Sequence, residues 1–259
     1  MLYPRGVTSR FEIRILLTAI LFLVPITAGL TTYVLLEVKK DSLLSPSTNA
    51  YSPPNNIGGL VLGVNDSLVT IKCLETLGSG FSFGLDLTDK DNGFAFRSEA
   101  AQNAPSVIVT NYHVLKECLI TNNVEVISFG DKKHVGKILE VDEVNDLAIV
   151  RIQSEILQLY GAGYKPSPGY WTMALGSPHG LGGSVTFGNV INFESSLVFH
   201  TASLSPGNSG GPLVDNEGYL YGVNTGSKPV GQNFNLSVGV NAFCDRLIYC
   251  EKQKYWVDK

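Results

Sequence analysis

The sequence has no excess of basic residues: 19 lysines and arginines stand against 23 aspartates and glutamates, for a formal net charge of -4. It therefore lacks the broad positive charge that binds phosphate backbones, and we expect no nucleic-acid partner. Charged residues make up only 16% of the chain and hydrophobic residues 44%, which excludes disorder throughout. The four cysteines form no C-x-x-C pair and no cysteine–histidine spacing typical of zinc, so we expect neither a metal site nor a cofactor.

The sequence is rich, by contrast, in residues that favour turns and in residues that favour strands. Its 27 glycines and 12 prolines are interspersed with valine, isoleucine, threonine and aromatic residues. This composition favours many short strands joined by turns over long helices. The 259 residues are enough for one large or two small globular units, so the first expectation is an all-β fold.

A long uncharged run lies near the N-terminus. Residues 15–36 carry no charge, and as a helix they would span about 33 Å, enough to cross a membrane. Three arginines precede the run, which places the N-terminus in the cytoplasm by the positive-inside rule. A cleaved signal peptide is the alternative, but its apolar stretch is normally shorter, and no A-x-A-like site closes this one.

The remaining boundaries follow from composition. Serine, proline and asparagine dominate after the uncharged run without apolar periodicity, as is typical of a tether. The predicted organisation is a cytoplasmic tail (1–14), a transmembrane helix (15–36), a linker (37–58), a folded domain (59–250) and a C-terminal tail (251–259). The folded domain is then periplasmic or extracellular.

Two segments carry candidate acid–base residues. Ser67 to Cys73 alternates polar and apolar residues like a half-buried strand, and a second strand, from Val107 to Thr110, leads directly to His113. Histidine titrates near neutrality and suits a general base that later returns its proton. Asp146 opens another apolar strand and could accept the Nδ1–H of a histidine, although Asp142 and Glu143 are close rivals.

The segment Pro206-Gly207-Asn208-Ser209-Gly210-Gly211-Pro212-Leu213 carries the strongest signal. Glycines on both sides of a serine allow a sharp turn that brings N–H groups close to a substrate carbonyl. A glycine-rich hairpin without catalytic function is the alternative. The segment alone does not decide between the two.

The order of the candidates along the chain narrows the choice. The Gly-x-Ser-x-Gly pattern also fits the nucleophile elbow of α/β-hydrolases, but that fold needs a histidine after the serine, and all four histidines precede Ser209. The subtilisin order would use Asp86, Asp89 or Asp91, yet the strand–helix alternation of that fold is missing. The order His113, Asp146, Ser209 is that of the chymotrypsin triad.

These segments resemble trypsin-like serine proteases, and most closely the bacterial HtrA/Deg branch. The resemblance covers roughly residues 68–248 and includes Gly78-Ser79-Gly80-Phe81, the His113 and Asp146 strands, the serine segment and Gly222-Val223-Asn224-Thr225. It implies two six-stranded antiparallel β-barrels and an endopeptidase acting on polypeptides through an acyl-enzyme. The PDZ modules common in the branch are not expected, because the sequence ends soon after this region.

The resemblance also implies roles for single residues. Backbone N–H groups of the Gly207-Asn208-Ser209 segment would form the oxyanion hole. Ser203 would lie at the base of the pocket for the residue before the cut, and Val223, Asn224 and Thr225 would form its wall and pair with the substrate. Since Ser203 is not acidic, we expect cleavage after small or medium apolar residues rather than after Lys or Arg.

The resemblance also suggests a disulfide between Cys73 and Cys118, with Cys244 and Cys250 as the second pair. Among the other histidines, His134 and His179 lie in polar or tight turns and His200 precedes Thr201, so none is expected to be catalytic. The competing function is an inactive or weakly active protease fold that binds exported chains as a scaffold or holdase, and an esterase is a third alternative.

Overall fold

The structure is a computed structural model, and it describes residues 50–84, 94–161, 165–177, 183–227, 234–244 and 246–250. The predicted transmembrane helix at 15–36 and both tails lie outside these residues. Within the described ranges, no helix is long and apolar enough to cross a membrane.

The described residues contain fourteen strands and three α-helices. In chain order the strands are β1 (Leu68–Cys73), β2 (Thr76–Ser82), β3 (Phe94–Phe96), β4 (Ser106–Thr110), β5 (Asn123–Ser128), β6 (Lys132–Asp142), β7 (Leu147–Ile152), β8 (Trp171–Gly176), β9 (Ser184–Glu194), β10 (Leu197–His200), β11 (Pro212–Val214), β12 (Leu220–Ser227), β13 (Asn235–Gly239) and β14 (Ile248–Cys250). The α-helices are α1 (Ile57–Asn65), α2 (Glu99–Gln102) and α3 (Tyr112–Leu115). Short 3-10 helices cover Lys116–Cys118, Phe129–Asp131 and Val240–Phe243.

Twelve of these strands form two closed barrels of six strands each. The first closes in the order β1-β2-β4-β7-β6-β5 and the second in the order β10-β13-β12-β11-β8-β9. Every strand pair within the barrels is antiparallel. The predicted all-β fold of two six-stranded barrels is therefore confirmed, and β3 and β14 add a separate two-stranded sheet.

Strand β1 is more deeply buried than its alternating pattern predicts. Only Lys72 is exposed along the strand, whereas the polar residues Ser67 and Thr70 are buried. Hydrogen bonds make this burial tolerable, since the Ser67 hydroxyl donates to the Val64 carbonyl and the Thr70 hydroxyl donates to the Ser177 hydroxyl. Thr70 thereby joins the first barrel to the end of β8.

The last residues of the predicted linker pack against the second barrel. The Trp171 N–H donates to the Ala50 carbonyl, and the Tyr51 ring lies edge-on against Tyr170. Helix α1 then begins at Ile57, where the side chain of Asn56 accepts the Gly59 N–H at 2.9 Å and caps the first turn.

A disulfide joins Cys73, at the end of β1, to Cys118, five residues after His113. The predicted first pair is confirmed. Cys244 is also disulfide-bonded, but the side chain of its predicted partner Cys250 lies outside the described residues. The Cys73–Cys118 bond anchors the segment that follows α3 to the barrel wall, and α3 carries His113.

Candidate active site

His113 and Asp146 are in direct contact. His113 lies in α3, just after β4, and Asp146 lies in the turn that leads into β7. The Nδ1 atom of His113 is 2.8 Å from Oδ2 of Asp146, and the backbone N–H of His113 donates to Oδ1 at 2.9 Å. Because a carboxylate can only accept, Nδ1 carries the proton in this pair, and in the neutral imidazole Nε2 then has the lone pair that a general base needs.

The Asp146 carboxylate is ionised at neutral pH. Burial acts to raise its pKa, but hydrogen bonds from His113 and Thr225 outweigh burial and hold the pKa below its ordinary value. The carboxylate therefore keeps the charge needed to orient the imidazole and to stabilise an imidazolium.

Two side chains hold Asp146 in place. The backbone at Asp146 is left-handed (φ 54°), a conformation that aspartate adopts more readily than most residues. The Asn111 amide donates to the Asp146 carbonyl at 2.8 Å, and the Thr225 hydroxyl donates to Oδ2 at 2.6 Å. Thr225, which is also predicted to bind substrate, directs its hydroxyl from the second barrel to the acid of the first.

The serine segment begins with a tight turn that requires glycine. The Asn208 N–H donates to the Ser205 carbonyl at 2.9 Å, and Gly207, the third residue of the turn, has a φ of 99°. With Pro206 in the second position, these features define a type II turn. Gly210 (φ 88°) is also constrained, since a Cβ there would collide with the Ser79 carbonyl and the Thr110 hydroxyl.

This conformation leaves two backbone N–H groups in the serine segment without a hydrogen-bond partner among the described residues. Among the described residues, the N–H groups of Gly207 and Ser209 make no hydrogen bond, whereas those of Asn208, Gly210 and Gly211 are all bonded. Asn208 therefore contributes through the turn rather than as a donor. Two free N–H groups in one short loop are what an oxyanion hole requires.

Ser79 fixes the serine segment to the first barrel. Its N–H donates to the Ser209 carbonyl at 2.7 Å, and its hydroxyl donates to the Gly207 carbonyl at 2.6 Å and accepts the Ser177 N–H at 2.8 Å. The Thr110 hydroxyl, in turn, donates to the Ser79 carbonyl at 2.7 Å. One buried serine thus holds both residues whose N–H groups are free.

Gly78 lies between Val114, the residue after His113, and the backbone of Ser209. A Cβ added to Gly78 would lie 2.6 Å from Cγ1 of Val114, the neighbour of His113, and 3.2 Å from the Ser209 carbonyl oxygen. Within the described residues, no hydrogen bond joins the His113 ring to the Ser209 hydroxyl. Such bonds are often long without substrate and shorten in the complex.

A cavity of about 230 Å³ opens beside Ser209. Ser209 itself lines it, together with Leu204, Ser205, Pro206 and Gly226. Among the described residues, no charged side chain lines the cavity. Larger clefts of about 560 and 340 Å³ lie on the first barrel and beside Ser177, but neither includes His113, Asp146 or Ser209.

The four residues predicted to bind substrate do not line this cavity. Ser203 is exposed, and Val223 is buried in the barrel core. The Asn224 amide donates to the carbonyls of Leu175 and Pro212, and Thr225 contacts Asp146 as described above. Substrate binding by these four residues stays a prediction.

Two of the other three histidines, His134 and His200, lie in the described part of the chain. His134 pairs with the Ser128 hydroxyl at 2.9 Å, His200 is buried in β10, and His179 lies outside the described residues. In the described part of the chain, no group of three histidine, cysteine, aspartate or glutamate side chains is arranged to hold a metal ion.

The chain is similar to a known peptidase family and to several named serine proteases. Residues 91–223 match the model of the trypsin-like peptidase domain. A curated relative from Chlamydia trachomatis, named "probable periplasmic serine endoprotease DegP-like", is 34% identical over 130 residues, which are 46% of this chain and 25% of the relative. The mitochondrial serine protease HTRA2 of Drosophila willistoni is 31% identical over 246 residues, or 87% of this chain and 55% of the relative.

The chain thus spans about a quarter to just over half of the length of these two relatives. Among solved structures, the serine endoprotease of Yersinia pestis matches with a TM-score of 0.59 and 24% identity, over 74% of this chain and 65% of the other. At that identity the likeness concerns the fold.

Proposed function

The chain belongs to the trypsin-like peptidase domain family, and on that premise we propose that it is a serine endopeptidase of the HtrA/DegP type. The observation that carries the proposal is the pair of free N–H groups at Gly207 and Ser209. They flank a serine hydroxyl at the same barrel interface as the His113–Asp146 pair.

The proposed chemistry assigns each group one task. The Ser209 hydroxyl attacks the scissile carbonyl while Nε2 of His113 takes its proton, and Asp146 stabilises the imidazolium that results. The negative charge on the former carbonyl oxygen is held by the N–H groups of Gly207 and Ser209. His113 then protonates the leaving amine, and a water molecule deprotonated by His113 hydrolyses the acyl-enzyme and releases Ser209.

The proposed substrate is an extended polypeptide that binds along β12. Strand β11 pairs with β12 only from Val214 to Pro212, and Asn224 then bonds to Gly210 and Gly211. Beyond Asn224, the edge of β12 on this side has no partner among the described residues. A substrate strand can add to such an edge through its main chain.

The cavity beside Ser209 supports the preference for small or medium apolar residues before the cut. Within the described part of the chain its lining includes Leu204 and Pro206 and no carboxylate, so these residues offer no partner for the charge of a buried lysine or arginine. Val, Ala, Ile or Leu fits such a lining better than a cation. Dominant cleavage after Lys or Arg in a peptide library would contradict this preference.

We further propose that the domain is exported and anchored by residues 15–36. The Cys73–Cys118 disulfide supports an oxidising compartment, and one relative is named as periplasmic. Protease added to the cytoplasmic side of sealed vesicles should leave residues 59–259 intact. Removal of residues 1–40, with a signal peptide supplied, should release soluble enzyme. Cleavage of the domain from the cytoplasmic side would refute this topology.

Hydrolysis of peptides separates the proposed enzyme from a binding scaffold. The wild type should cleave an unfolded polypeptide, and Ser209→Ala should lose several orders of magnitude in kcat without unfolding. Ser52→Ala, which alters an exposed serine outside both barrels, is the matched control and should retain full activity. Substrate binding without turnover by the wild type would favour the scaffold, and turnover of esters alone would favour an esterase.

A further inference from the structure

His200 is a buried histidine for which the catalytic chemistry has no use. It ends β10, its solvent exposure is 0%, and its Nε2 atom lies 3.0 Å from the hydroxyl of Ser237 on the neighbouring strand β13. Its other ring nitrogen, Nδ1, is buried and has no hydrogen bond of good geometry. A buried polar ring with one partner calls for an explanation.

The hydrogen bonds that lead away from His200 have one consistent direction. The Ser237 hydroxyl is 3.0 Å from Oδ1 of Asn224, and an amide oxygen can only accept, so the hydroxyl proton points to Asn224. The Ser237 oxygen must then accept from His200, which makes Nε2 the protonated nitrogen. His200 is therefore the first donor of a buried chain that runs through Ser237 to Asn224.

Asn224 is the residue through which β12 holds the serine segment. Its carbonyl accepts the Gly210 N–H at 2.8 Å, and its N–H donates to the Gly211 carbonyl at 2.8 Å. These glycines directly follow Ser209. The next residue, Thr225, donates to Asp146. The hydrogen-bonded chain from His200 thus ends at Asn224, which bonds to the serine segment and directly precedes the residue that bonds to Asp146.

The hydrogen bonds from His200 through Ser237 also fix the orientation of the Asn224 side-chain amide. Its Nδ2 atom donates to the carbonyls of Leu175 and Pro212, at 3.0 and 3.1 Å. If the amide turned over, its oxygen would face those carbonyls and its NH₂ group would face the Ser237 hydroxyl. Donation from Ser237, itself held by His200, prevents this. Buried networks in which every donor has an acceptor are the ones that keep one geometry.

We propose that His200 is a positioning residue for Ser209, acting through Ser237 and Asn224 to keep the serine segment in its productive conformation. The inference rests on the proposed function, since it assigns His200 to the same site. It concerns geometry alone, and His200 contacts neither substrate nor any reacting atom.

Kinetics of four variants test the proposal. His200→Leu removes the donor and keeps an apolar side chain of similar bulk, and Ser237→Ala removes the middle link. Both should lower kcat and the rate of Ser209 labelling by a fluorophosphonate about tenfold or more, with KM little changed, because the reacting groups are displaced. His200→Gln, whose Nε2 can donate at the same depth, should restore most of the rate.

Val198→Ala is the matched control. Val198 lies two residues before His200 on the same strand, is equally buried, and takes no part in the hydrogen-bonded chain. It should lower the unfolding temperature without lowering kcat of the folded protein. Equal kcat and labelling rates for wild type, His200→Leu and Ser237→Ala, with lost stability alone, would overturn the proposal.

Amide hydrogen exchange decides the matter independently of activity. The amides of Gly210 and Asn224 should exchange about tenfold faster in His200→Leu and Ser237→Ala than in Val198→Ala, because their bonds depend on the buried chain. Exchange no faster than in Val198→Ala would refute the role of His200. If the wild type neither cleaves peptides nor reacts with the fluorophosphonate, the proposed function fails. The exchange rates of the variants still show whether His200 holds the serine segment.

Discussion

His200 should make the fold sensitive to mild acid. Burial lowers its pKa from 6.5 to about 4, and the nearby Ala202 backbone offsets only part of that effect without making a good hydrogen bond to Nδ1. On the strands beside it, the uncharged residues Val190 and Asn235 lie opposite His200. Protonation would place an uncompensated charge in the core.

The sign and the size of the effect follow from linkage. Between pH 6.5 and about 4 the unfolded chain binds a proton at His200 that the folded chain does not, so the free energy of unfolding falls as the pH falls. A gap of about 2.5 pH units, at about 1.4 kcal/mol each, amounts to about 3.5 kcal/mol in full, of which about 3 kcal/mol is lost by pH 4. That is a large share of the roughly 5–15 kcal/mol that stabilises an ordinary domain.

Urea unfolding at pH 7, 5.5 and 4 measures this effect. The wild type should lose about 3 kcal/mol more than His200→Leu over that range, because other groups titrate alike in both proteins. The contribution of Asp146, whose pKa is lowered from 3.8, is lost mainly below this window. His200→Gln serves as a second variant that cannot titrate. The same pH dependence in all three proteins would refute the reasoning.

Three further predictions concern contacts between distant residues. Thr225→Val removes the hydroxyl that donates to Asp146 and should lower kcat about tenfold, whereas Thr225→Ser should restore it; equal kcat for Val and wild type would contradict this. Ser79→Ala removes the hydroxyl that donates to the Gly207 carbonyl, and it should slow fluorophosphonate labelling of Ser209 about tenfold while the circular dichroism spectrum stays the same. An unchanged labelling rate would show that Ser79 does not hold the serine segment in place. Replacing both Cys73 and Cys118 by alanine should lower the free energy of unfolding by about 2–4 kcal/mol, and equal urea midpoints would contradict it.

The local features of this fold were accessible from sequence because they depend on residues close together in the chain. Alternating residues indicated the strand from Ser67 to Cys73, and Gly207 and Gly210 stand where the backbone has positive φ. The Cys73–Cys118 pair was predicted only from resemblance, since four cysteines allow three pairings. The catalytic roles of His113, Asp146 and Ser209 stay predictions, although the first two are in contact.

Contacts between residues far apart in sequence could not be predicted in the same way. Ser79 and Gly207 are separated by 128 residues, and Asp146 and Thr225 by 79. Nothing in the local pattern around Thr225 shows that its hydroxyl points to an acid rather than into a pocket. The contact between His200 and Ser237 was hidden for the same reason, because these residues become neighbours only when β10 and β13 pair.

Mass spectrometry of the chain after reaction with a fluorophosphonate tests the central claim most directly. The account predicts one adduct per chain, located on Ser209 by peptide mapping, and a loss of labelling in His113→Ala, whose serine has no base. It also predicts that urea-unfolded protein is not labelled, because the N–H groups of Gly207 and Ser209 are then no longer held in place. No adduct on the folded wild type, or an adduct on another residue with Ser209 unmodified, would contradict it.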